Sequence, residues 1–187
     1  MMLVAQCSSL HRDQPRHAPL AQLVDLLRPL GQLAAFELAL GVNAGMDGDV
    51  LLLSQERGGR VTLNEQDSIC VSMPIKRSNQ LMLELVYEVV QAQFSDALDY
   101  ISWTLDFIDK TERLTHVAIA ANITGAEHMA WRTQRESDAS PNSMSTGMGM
   151  GNNEKALVQT NQTRAALRLN ATHIVEDLIV PLRRQWR

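Results

Sequence analysis

The stretch ending at Asp109 constrains this chain more than any other. Read as a helix at about 100° per residue, Phe94, Leu98, Ile101, Leu105 and Ile108 fall on one aliphatic face. Tyr100, Trp103 and Phe107, spaced i, i+3, i+7, form a second apolar stripe on the opposite side, edged by Asp96, Asp99 and Asp106. A surface helix ordinarily carries one apolar stripe and one polar face, so a helix with two must pack against two things. The second neighbour is either another layer of the same domain or another chain. Five of the eight aromatic residues lie between Tyr87 and Phe107, which concentrates the side chains richest in contact area in this one element.

The remainder reads as alternating helix and strand. Pro19 suits a first helical turn, and Leu20, Leu23, Val24, Leu27, Leu33, Phe36 and Leu40 keep helical spacing across an interruption at Pro29 and Gly31, with Gly41 placed to close the helix. Val42–Asp49, with Asn43, Gly45, Asp47 and Gly48, reads as a loop. Val50–Ser54, Arg60–Leu63 and Ser68–Met73 read as strands, separated by Gly58-Gly59 and by the polar turn Asn64–Asp67. Pro74 ends this three-stranded meander. Ser78 is placed to cap a helical region running to about Asp109 and broken near Ser95. Val117, Ile119 and Ala121 alternate as in a strand, and a short helix is predicted from about Ala126 to Arg135. Residues 137–153, SDASPNSMSTGMGMGNN, lose all periodicity and read as a long flexible loop. Ala156–Gln159 reads as a short last strand. A C-terminal helix begins near Thr163, with Leu167, Ala171, Ile174, Val175, Leu178 and Leu182 on one face and Pro181 expected to kink or end it.

The predicted architecture is therefore α+β: an antiparallel sheet with a three-stranded meander, packed by a long central helix and a C-terminal helix. The domain is expected to span 19–187 behind a flexible N-terminal segment, 1–18. At 187 residues the chain suffices for one domain with a substantial core. A net charge of −4 argues against attraction of the whole surface to nucleic acid or anionic lipid. Two cysteines, Cys7 and Cys70, make no disulfide framework. No apolar run reaches the ~18 residues of a membrane span, and the apolar stretch Met1–Ala5 is too short for a secretion signal. A cytoplasmic protein is expected.

Chemistry-bearing motifs are sparse. The chain has no G-x-S-x-G, no Walker-type phosphate loop, no G-x-G-x-x-G and no C-x-x-C. The five histidines (His11, His17, His116, His128, His173) lack ligand spacing, and Asp47-Gly48-Asp49 fits a turn better than a cation loop. No catalytic residue, metal or cofactor is assigned. An enzyme assembled from distant residues would have to draw on Glu37, Asp49, Glu127 and His128, with 137–153 as a lid. A basic group, Arg164, Arg168, Arg183, Arg184 and Arg187 beside Trp186, could contact nucleic acid. Cations favour a helix C-terminus on electrostatic grounds alone, and that account outweighs it. The same group could also meet the acidic stripe of a second subunit.

The leucine-rich segment from Leu26, followed by GDVLLLSQERGGRVTLNEQDSICVSM and by the order helix, strand, strand, helix, resembles the small dimeric chaperones of type III secretion. The resemblance implies a small acidic cytoplasmic dimer that binds effector segments without ATP, and it transfers no binding residues. The long helical region and the 137–153 loop depart from that pattern. The expected function is a non-enzymatic interaction module, homodimeric, that binds a protein partner or a second copy through Tyr100, Trp103, Phe107, Asp96, Asp99 and Asp106.

Overall fold

The computed structural model describes residues 2–9, 41–56, 58–75, 84–110, 112–126, 129–139 and 157–185. Its main sheet holds β1 (Met2–Ser9), β2 (Asn43–Asp47), β3 (Val50–Ser54), β4 (Arg60–Asn64), β5 (Ser68–Ser72), β7 (Leu114–Asn122) and β9 (Leu157–Thr163). The strands lie in the order β2-β3-β4-β5-β1-β7-β9, and every neighbouring pair is antiparallel. β6 (Glu84–Val86) and β8 (Ala130–Arg132) form a separate parallel pair. The described helices are α1 (Tyr87–Ile108), α2 (Gln134–Ala139), α3 (Arg164–Leu169) and α4 (Ala171–Gln185). The fold is α+β.

Alternation sets the sheet's two faces. Leu51 and Leu53 pair with Leu63 and Val61, which pair with Ile69 and Val71, and all six are 0–1% exposed. Val117, Ile119 and Ala121 carry this inward row along β7, and Val158 of β9 lies opposite Ala121. The intervening Thr62, Cys70 and Ser72 are half-buried, while His116 and Ala118 are exposed. One packed and one wetter face is a common state of antiparallel sheets. α1 packs on α3 and α4, and α4 leans on β9. Phe94, Leu98, Ile101 and Leu105 of α1, with Ile174, Leu178 and Ile179 of α4, join the sheet's inward row in a single core.

Several expectations are corrected. The segment 1–18, read as flexible, includes β1, whose backbone fills the position between β5 and β7. A strand there is set by its two neighbours, which five residues of local pattern cannot reveal. Val42–Asp49 contains β2, because pairing with β3 satisfies a backbone that two glycines make look like a loop. Its turn, Gly48-Asp49, has Gly48 at φ +59°, the first central position at which a II′-type turn takes glycine. α1 is unbroken at Ser95 and is preceded by β6. Ser78 and the helix predicted over 19–40 lie outside the described residues, as do residues 140–153 of the loop predicted over 137–153; its first three residues, 137–139, are instead the last of α2.

The predicted Ala126–Arg135 helix is instead a strand, β8, followed by α2. Thr133 Oγ1 accepts from Glu136 N at 3.2 Å while Glu136 Oε2 accepts from Thr133 N at 2.7 Å. This capping box starts the helix eight residues later than predicted. β9 continues to Thr163, whose hydroxyl accepts from Ala166 N at 3.1 Å and so starts α3. α4 runs through Pro181 to Gln185. The missing N–H leaves the Asp177 carbonyl without its helical donor, yet burial of Leu178, Ile179 and Leu182 holds the last turn.

Candidate functional site

The buried arc of α1 is wider than one stripe. It takes in Val90, Gln93, Phe94, Ala97, Leu98, Tyr100, Ile101, Thr104, Leu105 and Ile108. Tyr100, at 4% exposure, therefore belongs to the core, and burial pushes its phenol pKa upward. Trp103 and Phe107 sit at the border of that arc, half-buried and packed on the core. Their rings stack at 5.8 Å with an interplanar angle of 25°, and Trp103 lies 5.7 Å from the Tyr100 ring. Lys110 Nζ stands 5.7 Å from the Phe107 centroid, a cation at the rim of the ladder. The three rings thus run from interior to surface. Asp96 beside them is half-buried, and Asp99 and Asp106 are exposed.

Asp106 has partners within the chain. Arg164 Nη2 donates to Asp106 Oδ1 at 3.0 Å, and Arg168 Nε donates to the same oxygen at 3.1 Å. Burial raises the Asp106 carboxyl, but the Arg168 and Arg164 hydrogen bonds outweigh it and hold the pKa below the ordinary value. Arg164 is itself buried. Its Nη1 donates to Asp109 Oδ2 at 2.8 Å, and its Nη2 also reaches the carbonyls of Leu105 at 3.1 Å and Asp109 at 3.0 Å. It thereby adds a second donor to two carbonyls at the end of α1 that already accept from the Asp109 and Glu112 amides, where positive charge is favoured.

Asp109, 0% exposed, also accepts from Leu114 N at 2.8 Å and Arg113 Nε at 2.9 Å. Arg113 reaches Asp67 in the β4–β5 turn at 3.8 Å, and Arg168 pairs with Glu112 at 3.0 Å. Three arginines and four carboxylates thus knit the end of α1 to β7, α3 and the meander.

The basic group is accordingly divided. Arg164 and Arg168 face the acids of α1 in their own chain. Arg183 lies over the Tyr87 ring, 5.4 Å from its centroid. Arg183 and Arg184, with Tyr87 and Val180, line an open pocket of about 270 Å³. Arg187 and Trp186 lie outside the described residues, as do Glu37, Glu127 and His128. Asp49 stands exposed in the β2–β3 turn. Among the described residues no group of three or more His, Cys, Asp or Glu could hold a metal ion. No described helix is long and apolar enough to cross a membrane.

One buried polar cluster joins residues too far apart for any sequence pattern to link. Glu84 Oε2 accepts from Arg132 Nη1 at 3.0 Å and Glu84 Oε1 accepts from Ser137 Oγ at 2.6 Å, with all three residues buried. Arg132 also donates to the Glu136 carbonyl. The cluster ties β6, β8 and α2 together, with no described His or Lys placed to activate the serine. The T-x-x-E capping box was its one local signal. No protein-family model, curated protein or solved structure matches this chain.

Proposed function

We propose that this chain is a non-enzymatic protein-interaction module, a homodimeric adaptor of secretion-chaperone type acting in the cytoplasm. Its partner contact is the Trp103–Phe107 edge of α1, bordered by Asp96, Asp99 and Lys110. The observation that carries the reading is the graded burial of one aromatic ladder. Tyr100 is anchored in the core, while the larger Trp103 and its stacked neighbour Phe107 stay half-exposed. Rigid aromatics held by the core and open on one side supply binding area with little entropy left to lose. Asp106 contributes by fixing α3 beside the ladder, and Tyr100 by anchoring it from below.

Nucleic-acid binding is disfavoured because Arg164 and Arg168 are neutralised inside the chain, which leaves Arg183 and Arg184 as described cations of that group.

The test is light scattering with thermal melting on wild type and Trp103→Glu. A variant that stays folded and falls from dimer to monomer makes the edge a contact between copies. A variant that stays folded and dimeric leaves the edge open for a different protein. A variant that unfolds makes the edge internal packing and removes the proposal.

A further inference from the structure

The two edges of the seven-stranded sheet are unlike. β2 has five residues, contains Gly45 and ends at Asp47. Short length and charge of this kind keep an edge from recruiting another strand. β9, LVQTNQT, has seven residues and carries no charge and no proline. It pairs with β7 through seven consecutive residues, His116↔Thr163 to Asn122↔Leu157, with no bulge. No strand lies on its other side among the described residues. Leu157 is 49% exposed, and Gln159, Asn161 and Thr163 on the same side are exposed as well. A straight, regularly paired, uncharged edge offers its outward N–H and C=O groups to an added strand.

We infer that β9 is the contact between two copies of this chain, paired antiparallel across a two-fold axis at Thr160. The sequence of the strand argues for a second copy as the occupant. The two-fold register sets Leu157 opposite Thr163, Val158 opposite Gln162, Gln159 opposite Asn161, and Thr160 opposite itself. Every cross-strand neighbour is then an aliphatic–polar, amide–amide or hydroxyl–hydroxyl pair, and like charges never meet. The chain carries a net charge of −4, so copies meet most favourably where neither presents an acid. β9 has none, and Arg164, the first residue after it, is turned inward onto Asp109. Two sheets would join edge to edge, and an isologous contact of this kind closes on itself instead of propagating. This inference goes beyond the proposed function, because it places the contact between copies away from the Trp103–Phe107 edge.

The register predicts its own rescue. Gln159 and Asn161 face each other across the axis, and both side chains are exposed, so substituting them leaves the core alone. By sedimentation or light scattering at micromolar concentration, wild type is expected to be a dimer. Gln159→Lys/Asn161→Lys is expected to weaken the dimer at least ~10-fold while each subunit keeps its fold by circular dichroism. Gln159→Lys/Asn161→Glu sets opposite charges face to face at both positions and is expected to restore the dimer. A monomeric wild type overturns the inference, as does a Lys/Lys variant that remains dimeric. A charge-swapped variant that stays monomeric overturns the two-fold register. Dissociation by Trp103→Glu with no effect of the Lys pair would move the contact to α1. Dissociation by the Lys pair alone leaves the Trp103–Phe107 edge to be judged separately.

Discussion

Asp109 and Arg164 are 55 residues apart, yet a buried 2.8 Å ion pair between them ties the end of α1 to α3. Removing one partner of a buried ion pair leaves the other charged and desolvated, which typically costs about 3–5 kcal/mol. Arg164→Met is expected to fall at the low end, about 3 kcal/mol, because Arg113 and the Leu114 amide still serve Asp109. Urea unfolding would measure it, and partial recovery in the Arg164→Met/Asp109→Asn double variant, which removes the charge but keeps an acceptor for the Leu114 amide, would assign the loss to the orphaned charge. The same carboxylate makes a pH prediction. Burial raises its pKa, but the Leu114 amide and Arg113 outweigh that and set the folded value below normal. Its stabilisation is therefore complete above the unfolded-state pKa of about 3.9 and is lost as pH falls through the folded value. The stability gap between wild type and Asp109→Asn should hold from about pH 7 to about pH 5 and narrow below about pH 4. The sequence offered both residues only as local features, an acid ending a helix and a base opening another. Nothing in spacing links positions so far apart. Trp103 and Phe107 were legible for the opposite reason, since a stripe at i, i+4 is a local pattern.

At the scale of elements, the features fixed by short-range chemistry were the readable ones. The meander β3–β5 was found from its alternation and from the Asn64–Asp67 turn, where Asn64 Oδ1 accepts from the amides of Gln66 at 3.0 Å and Ser68 at 2.9 Å. β2 is hidden from local pattern because only its partner makes it a strand, and β6 and β8 because three residues are too few to show a period. One capping box, Thr133 with Glu136, and one N-cap, Thr163, are present in the sequence and decide where α2 and α3 begin. Thr163 is the clearest case, closing β9 and starting α3 in one residue. Thr163→Ala should cost about 1 kcal/mol, the usual effect of losing an N-cap. Because α3 carries Arg164 and Arg168, proteolysis near residue 170 should also accelerate in that variant. A lowered melting temperature without added cleavage would mean that the arginines, and not the cap, hold α3 in place.

For the whole molecule, the decisive residues are those of β1. It joins the meander on one side, Leu3↔Val71, to β7 on the other, Leu3↔Ala121, so the sheet has no continuous pairing without it. Deleting residues 2–9 should abolish cooperative unfolding, whereas an edge-strand lesion would merely lower its midpoint; circular dichroism across a thermal scan distinguishes these outcomes. The strand also imposes an order of events. It precedes its first partner by more than sixty residues and its second by more than a hundred, and such remote pairings slow folding. As the polypeptide is synthesised, β3, β4 and β5 can pair soon after they emerge, while β1 waits with both edges open until β5 emerges and with one edge open until β7 arrives. The nascent chain therefore passes through a stage in which its future midline is its most vulnerable surface, and a fusion partner or pause that delays β7 prolongs that stage.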